Sequence, residues 1–314
     1  MSLKLSEPLK GTIYVFISAF MYATLPILAK LAYIHGLEPS SATFYRYLFA
    51  FMILLIYQTI IKKEAAFSTS PLAIGQGMLL IGSSLFYFYA LKSLSAGIGS
   101  IIFFTHPVLV AFLAIFVFKE PLGIKLGLGL IAALIGIILI SGIFNGSVVI
   151  APISLFLCVL ASICYGLYVL VGQTNVAHIS PIPLTATFAL MGIIIVPVLF
   201  FRDFGFITSL TITQALVCLG MALLNTVLSI FFFLKGLQKI GASRASLVST
   251  LEPVLSIILA MIILKEVFSP LEASGAVLIL ISMYLAVTSY GSGSGQSVTE
   301  TDSISQAGRK NNGS

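Results

Sequence analysis

The sequence predicts an all-α membrane protein with ten transmembrane helices, arranged as two inverted-topology repeats of five helices. Three observations lead to this fold class. Of 314 residues, 59% are hydrophobic and only 8% are charged, with a mean hydropathy of +1.14. Ten apolar runs follow one another along the chain, and the second half repeats residues of the first in register. A soluble domain carries about 25% charged residues, so most of this exterior must face lipid.

The ten spans are separated at charges, Pro/Gly clusters and polar turns. Each run approaches the roughly 20 apolar residues that cross a hydrocarbon core of about 30 Å. Their predicted boundaries are 11–33, 41–61, 71–91, 97–118, 123–142, 152–172, 182–201, 212–234, 242–264 and 270–290. The first five form a repeat over 11–142, and the last five form a repeat over 152–290. The tail 291–314 is rich in Gly, Ser and Asn and is expected to be disordered.

An internal repeat relates the two halves. A set of matching residues appears when the chain is shifted by 146 residues, and it includes a proline, a Lys-Glu pair and Gly129 with Gly275. Among its members are Ser100, Pro107, Val108, Leu109, Leu113, Ala114, Lys119 and Glu120, which meet Ser246, Pro253, Val254, Leu255, Leu259, Ala260, Lys265 and Glu266. Tyr22 and Tyr165 match at a shift of 143. Because five is an odd number, the second repeat enters the membrane upside down, as in many secondary transporters.

The positions of Lys and Arg predict the orientation of the chain. With the N-terminus inside, nine of these residues fall on the inner side and three on the outer side. The inner residues are Lys4, Lys10, Lys62, Lys63, Lys119, Lys125, Lys235, Lys239 and Arg244, and the outer ones are Lys92, Arg202 and Lys265. This bias predicts that both termini are cytoplasmic. The net charge of +6 is spread singly between apolar runs, which suits anionic lipid headgroups and not nucleic acid.

The spans, the repeat and two local patterns together resemble a known family. Residues 242–253 read Ala-Ser-Arg-Ala-Ser-Leu-Val-Ser-Thr-Leu-Glu-Pro and are followed by the pair Lys265-Glu266. The first half repeats this pattern over 96–120, and Arg46 stands in the second span. Over 11–290 the chain resembles the drug/metabolite transporter superfamily and, within it, the EamA-type exporters. The resemblance implies a secondary transporter of the bacterial plasma (inner) membrane that exports an amino acid or related small metabolite.

Glu252 is the first candidate for the mechanism. It lies ten residues into the predicted ninth span, about 15 Å deep and near the bilayer midplane. An ionised carboxylate there costs about 3 kcal/mol or more, so it should face a cavity or a partner. Pro253 leaves the carbonyl of Ser249 without its helical donor at the same depth. A substrate or proton site and a structural tie between two helices both fit this pattern.

His106 occupies the position of Glu252 in the first half, so any chemistry there is not symmetric. Pro107 similarly loosens the carbonyl of Phe103. A histidine at this depth can titrate near neutral pH and pair with a substrate carboxylate or a proton. It can equally stay neutral and bond to a neighbouring helix. Together Glu252 and His106 suggest proton-coupled exchange, although facilitated diffusion needs neither residue to titrate.

Four further polar residues are candidates for the site. Arg46 either recognises a substrate carboxylate or extends to the lipid headgroups from near the start of its span. Tyr22 and Tyr165 occupy matching positions in the two halves. Asn225 is isolated in a very apolar helix, where its amide must find a partner. Each of the last three residues is either a substrate ligand or a hydrogen-bonding link between helices.

Other classes of function have less support in the sequence. A membrane enzyme would need clustered acids, a metal motif or a nucleophile and base, but Asp occurs only at Asp203 and Asp302. No P-loop or dinucleotide fingerprint is present, so we expect no cofactor and no metal. A structural or sensory membrane protein without transport stays open. Within transporters, a sugar phosphate or nucleotide sugar would need several buried basic residues, whereas an organic cation would use Glu252 and the aromatic residues.

The expected partners are a small-molecule substrate and the lipid bilayer. Gly123 and Gly127 form a pair of small residues four positions apart. Such pairs allow helices to approach closely, either within one chain or between subunits. A monomer and a homodimer are therefore both consistent with the sequence.

Overall fold

The computed structural model describes residues 6–62, 67–106, 124–140, 151–200, 209–249, 251–267 and 269–291. Within these ranges the regular elements are helices, and none is a strand. They are α1 Glu7–Tyr22, α2 Leu25–Ile34, α3 Pro39–Ile56, α4 Pro71–Ala90, α5 Ala96–Phe103, α6 Ile124–Ile140, α7 Pro152–Asn175, α8 Pro181–Leu199, α9 Ile212–Gly220, α10 Ser229–Ser249, α11 Leu251–Leu259 and α12 Pro270–Gly291. The π-helical segments Tyr57–Lys62, Met221–Leu228 and Ala260–Leu264 follow α3, α9 and α11.

Five of these helices begin with a proline. They are α3, α4, α7, α8 and α12, whose first residues are Pro39, Pro71, Pro152, Pro181 and Pro270. A proline suits the first helical position because its N–H would have no partner there and its φ angle is already helical. The polar turns that separate the predicted spans therefore end at well-defined residues.

Six helical stretches in the described ranges are long and apolar enough to cross a membrane. They are Glu7–Ile34, Pro39–Ile60, Pro71–Ala90, Pro152–Asn175, Pro181–Leu199 and Ile212–Ile240, and shorter apolar helices cover Leu251–Leu264 and Ala273–Ser282. Large apolar side chains on their outer faces are exposed, as lipid contact requires; Ile212 is 82% and Val198 is 65% exposed. Most of the predicted fourth span lies outside the described residues, and so does the tail beyond Gly291.

The chain stays helical over 235–241, where the connection between the eighth and ninth spans is predicted. Helix α10 runs without interruption from Ser229 to Ser249. This stretch contains no proline, and two of its polar side chains are satisfied: Gln238 donates to the carbonyl of Val176, and Lys239 forms an ion pair with Glu7. A helix start at 242, from which the depth of Glu252 was counted, is therefore absent.

Contacts between helices are repeated between the counterparts of those helices in the other half of the chain. Helix α1 packs on α10, and its counterpart α7 packs on α4, the counterpart of α10. Helix α3 packs on its counterpart α8, and α6 packs on its counterpart α12. Helix α4 also packs on α8, and Met221–Leu228, which corresponds to part of α4, packs on α3. Helices α5 and α11, which belong to the predicted fourth and ninth spans, pack on each other. This pattern is what a pseudo-twofold relation between two repeats produces.

Hydrogen bonds between the helices repeat in the same way. The Ser229 hydroxyl donates to the carbonyl of Ser18 at 3.4 Å, and the Ser83 hydroxyl donates to the carbonyl of Ala161 at 2.9 Å. Ser83 and Ser229 are 146 residues apart, and Ser18 and Ala161 are 143 residues apart. The two shifts found in the sequence thus relate equivalent contacts in space.

Candidate functional site

The first predicted span is broken in its middle. Helix α1 ends at Tyr22 and α2 begins at Leu25. Pro26 has no N–H, so the carbonyl of Tyr22 lacks the donor that a continuous helix would supply. Such a break inside a membrane protein requires other groups to satisfy the released carbonyls.

Side chains from two other helices bind the backbone at this break. The Asn225 amide donates to the carbonyl of Met21 at 2.6 Å and to the Thr24 hydroxyl at 2.9 Å. The Ser256 hydroxyl donates to the carbonyl of Ala23 at 3.0 Å. Asn225 is therefore placed at the break and not on the wall of the cavity described next.

A buried cavity of about 30 Å³ lies beside the break. A cavity needs about 10–15 Å³ to hold a water molecule, so this one has room for about two. Four of the predicted site residues line it: Tyr22, Arg46, Tyr165 and Glu252. The other lining residues are Leu25, Pro26, Tyr47, Leu80, Ser83, Ser84, Tyr87, Ser100, Phe103, Phe104, Ile230 and Ser256.

Arg46 is held in a fixed position on the cavity wall. It is 3% exposed, so its side chain does not extend to the lipid headgroups. Its guanidinium lies 4.5 Å from the Tyr47 ring centroid and 5.1 Å from that of Phe88. One Nη donates to the Ser84 hydroxyl at 2.8 Å, while the buried Nε has no partner among the residues that the structure describes. Within the described ranges no carboxylate forms an ion pair with Arg46, so the guanidinium is available to an anion.

Glu252 places a carboxyl group on the wall of the same cavity. It lies in the first turn of α11, is 4% exposed, and receives no hydrogen bond from the residues that the structure describes. Ser256 lies one turn further on the same helix face and joins the wall beside it. Pro253 is also buried.

His106 does not reach the cavity wall. It is buried behind Tyr165, with 4.7 Å between the two ring centroids, and its Nδ1 lies 3.2 Å from the carbonyl oxygen of Phe103. Pro107, the other predicted helix break, lies outside the described residues. The structure therefore brings Glu252 and His106 to different surroundings, although they hold matching positions in the repeat.

The matched tyrosines meet each other at the cavity. The rings of Tyr22 and Tyr165 are 6.5 Å apart and nearly perpendicular, at 83°. Edge-to-face contact is a favoured arrangement for aromatic rings. Because these two residues are repeat counterparts, the pseudo-twofold axis that relates the two halves passes between them and reaches the site.

Several lining residues were not predicted from the sequence. Ser84 accepts from Arg46 and lies 2.8 Å from the Tyr47 hydroxyl, so it links two residues of the wall. Ser256 could have been found, because it is four positions after Glu252 and thus on the same helical face. Ser84 carries no such signal, since serine is common wherever membrane helices touch.

The carboxylate of Glu266 caps the start of helix α5 at one end of the bundle. Glu266 accepts from the backbone N–H of Ala96 at 2.7 Å and from that of Gly97 at 3.0 Å, at the start of α5. A negative charge at a helix N-terminus is favourable because the N–H groups there lack helical partners. The preceding Lys265 has a φ angle of 56°, in the left-handed region, where the chain turns after the π-helical segment. Glu266 thus links the second half of the chain to α5 of the first half.

Replacing Glu266 by alanine should release the start of α5. Loss of a capping group costs about 1 kcal/mol, so amide hydrogen exchange at Ala96 and Gly97 should become about five- to tenfold faster. Mass spectrometry of the protein in nanodiscs measures this exchange. The control is Glu38→Ala, which removes an exposed ion pair to Lys92 and should leave the exchange at α5 unchanged. Equal exchange in the native chain and Glu266→Ala would show that the contact does not hold α5.

The fold and this cavity define an integral membrane protein that is helical throughout its described ranges and has a buried site with a guanidinium and a carboxyl group on its wall. The profile of the EamA-like transporter family matches residues 9–142 and, a second time, residues 152–288. The chain therefore belongs to the EamA-like transporter family, has two of its repeats, and is a membrane transporter. The family resemblance predicted from the sequence is confirmed.

Individual relatives agree with this assignment. The uncharacterized transporter YyaM of Bacillus subtilis (strain 168) is 26% identical over 291 residues, which cover 87% of this chain and 93% of YyaM. The uncharacterized transporter YcbK of the same organism is 25% identical over 290 residues, or 87% of this chain and 91% of YcbK. A solved crystal structure of a protein shares the fold with a TM-score of 0.65 at 17% identity, covering 88% of this chain and 96% of the other.

Proposed function

We propose that the protein is a secondary transporter that exports an amino acid or a related compound by alternating access. The observation that supports this function is the pair of opposite charges, Arg46 and Glu252, on the wall of one buried cavity. Neither has an ionic partner among the described residues. Buried charges without partners are costly, so each is expected to serve a ligand.

An α-amino acid suits both charges at once. Its carboxylate can accept from the unpartnered Nε of Arg46, which is held by stacking and by Ser84. Its ammonium group can pair with the Glu252 carboxylate beside the rings of Tyr22 and Tyr165. A sugar phosphate fits less well, because Arg46 is the sole basic residue among the described residues that line the cavity.

The size of the cavity supports alternating access. Small-molecule sites usually measure about 300–1,000 Å³, whereas this cavity has about 30 Å³. A metabolite therefore needs the helices around it to separate before it can enter. In an inverted repeat this happens when one set of helices tilts against the other and opens the site to each side in turn.

Contacts at the two ends of the helices support the ten-span topology. On the predicted outer side, Lys92 pairs with Glu38, and Gln214 donates to the carbonyl of His35. On the predicted inner side, Lys239 pairs with Glu7. Each contact joins segments that lie on the same side of the membrane when ten successive spans cross it in alternating directions. The proposal includes cytoplasmic termini and a bacterial plasma (inner) membrane, and since one chain supplies the whole wall, a monomer or a homodimer would serve.

Proton coupling forms part of the proposal. Glu252 is buried beside a cavity that holds water or substrate, so its carboxylate can exchange a proton for the substrate ammonium group. In such a scheme the protonated and the substrate-bound site are alternatives. His106 lies behind Tyr165 and would act on the wall and not on the substrate.

Flux assays in proteoliposomes test the substrate class. Vesicles with the purified chain are given a labelled neutral amino acid, a lipophilic organic cation or a sugar phosphate, with and without a pH gradient. We expect the amino acid to move, and His106→Ala to retain most of the flux. The aromatic wall beside Glu252 makes the organic cation the second candidate. Movement of the cation alone, unaffected by loss of Arg46, would replace the amino-acid proposal.

A further inference from the structure

The cavity lies to one side of the pseudo-twofold axis that relates the two halves. Two repeat pairs meet on its wall, Tyr22 with Tyr165 and Ser84 with Ile230. Members of the first pair are 143 residues apart and members of the second are 146 apart. The pseudo-twofold axis therefore crosses one edge of the cavity, and the rest of the wall has counterparts elsewhere.

Five of the other wall residues have counterparts that are buried. At a shift of 146, the counterparts are Thr226 for Leu80, Phe233 for Tyr87, Ser249 for Phe103 and His106 for Glu252. At a shift of 143, the counterpart of Leu25 is Tyr168. Each of these five residues is at most 4% exposed, and none lines the cavity.

The positions of the two sets differ along the membrane normal. Helix α4 starts on the predicted inner side, so Tyr87 lies towards its outer end, whereas Leu80 lies at its middle. The stretch Ile212–Ile240 runs the opposite way, so Phe233 lies towards the inner end. The present cavity thus belongs to the predicted outer half, and the buried counterparts belong to the predicted cytoplasmic half.

Two of the counterparts carry polar atoms that the present packing leaves unsatisfied. The Tyr168 hydroxyl and the Ser249 hydroxyl are buried and have no hydrogen-bond partner within the described part of the chain. The Tyr168 ring packs between those of Tyr165 and Phe188, at centroid distances of 5.3 and 5.6 Å. A buried polar group without a partner is unfavourable, and in a native structure it calls for an explanation. Exposure to water and substrate in another conformation supplies one.

We propose that Tyr168, Thr226, Phe233 and Ser249 line a second cavity, which opens towards the predicted cytoplasmic side when the two halves exchange conformations. It is the entry path for the same small dipolar substrate. The Tyr168 and Ser249 hydroxyls bind water or the substrate there. This inference rests on the proposed alternating access, but it does not depend on which substrate is transported.

Cysteine labelling from each side of the membrane tests the second cavity. The variants are Thr226→Cys and Ser249→Cys, and the controls are Leu184→Cys and Leu237→Cys, which are also buried on the same helices or their neighbours. The counterparts of these controls, Ser41 at a shift of 143 and Leu91 at a shift of 146, do not line the present cavity. A charged, membrane-impermeant thiol reagent is applied to inverted and right-side-out vesicles. The native chain, with Cys158, Cys164 and Cys218, measures the background.

We expect both variants to react at least about tenfold faster than the controls from the cytoplasmic side. Rates equal to those of the controls, or faster labelling from the outer side, would overturn the second cavity. Labelling requires no transported substrate, so its result can be interpreted even if the amino-acid flux assay fails. Labelling as expected without amino-acid flux would count against the substrate class alone.

Tyr168→Phe provides a second measurement with a nearly isosteric side chain. Removing an unsatisfied hydroxyl should leave the melting temperature unchanged or raise it, because the hydroxyl has no hydrogen-bond partner among the described residues in the present conformation. Transport should fall about tenfold, which is the value of one lost hydrogen bond to a polar ligand. Unchanged transport would contradict a role for Tyr168 in the entry path, and a lowered melting temperature would indicate a structural role instead.

Discussion

Arg46→Gln should raise the KM for a carboxylate-bearing substrate about 100-fold. The guanidinium is held by Tyr47, Phe88 and Ser84 before the substrate arrives, and its Nε is unpartnered. Hydrogen bonds to charged groups contribute about 1.5–3 kcal/mol each, and every 1.4 kcal/mol changes affinity about tenfold. The concentration dependence of amino-acid uptake into proteoliposomes measures this change.

Two comparisons make the Arg46 result specific. Arg46→Lys keeps the positive charge but loses the planar fork, so it should recover only part of the affinity. Lys92→Gln removes an exposed cation at the end of α4 and should leave the KM unchanged. An amine analogue that lacks the carboxylate should be transported equally by the native chain and by Arg46→Gln. An equal loss for both compounds would show that Arg46 supports the fold and not the substrate carboxylate.

Glu252→Gln should reduce amino-acid flux about 100-fold and remove its response to a pH gradient. The carboxamide has nearly the size of the carboxylate, so the cavity wall keeps its shape. It is neutral at every pH, and it can neither carry a proton nor pair with an ammonium group. Removing one member of a buried charge pair costs about 2–5 kcal/mol, a range that includes the roughly 2.8 kcal/mol of a 100-fold loss of flux. Initial uptake rates with and without an imposed gradient measure both effects.

The controls for Glu252 use carboxylates in other places. Glu252→Asp keeps the charge on a shorter side chain and should restore part of the gradient response. Glu7→Gln removes a carboxylate that pairs with Lys10 and Lys239 at the predicted inner end of the helices, and it should leave the response intact. A full gradient response in Glu252→Gln would exclude this residue as the proton carrier. Loss of the response in Glu7→Gln as well would indicate a general effect on folding or insertion.

The residues of the site were largely predictable because of their chemistry. Arg46 and Glu252 are charges within apolar runs, and a charge in such a run must face a cavity or a partner. Tyr22 and Tyr165 could be selected because they recur in both halves. All four lie on one cavity wall. Whether they bind substrate stays a prediction.

The surroundings of these residues were not predictable. His106 matches Glu252 in the repeat but faces Tyr165, since small differences in the rotation of a helix decide which side chains reach a cavity. Ser84 became part of the site only because α3 and α4 bring it beside Arg46. The helix over 235–241 continued because Gln238 and Lys239 found partners on other elements, and sequence patterns do not contain such partners.

The sequence by itself determined that the chain is a helical membrane protein with two related halves, because low charge, long apolar runs and a repeated register are properties of the chain alone. The sequence also identifies the charged residues within apolar spans, which cannot face lipid. The tertiary structure decided where the first span breaks, which side chains bind the released backbone, and which charged residues share one cavity. These features depend on helix rotation and on contacts between residues far apart in sequence. Only the assembled bundle brings Arg46 and Glu252 to the same cavity.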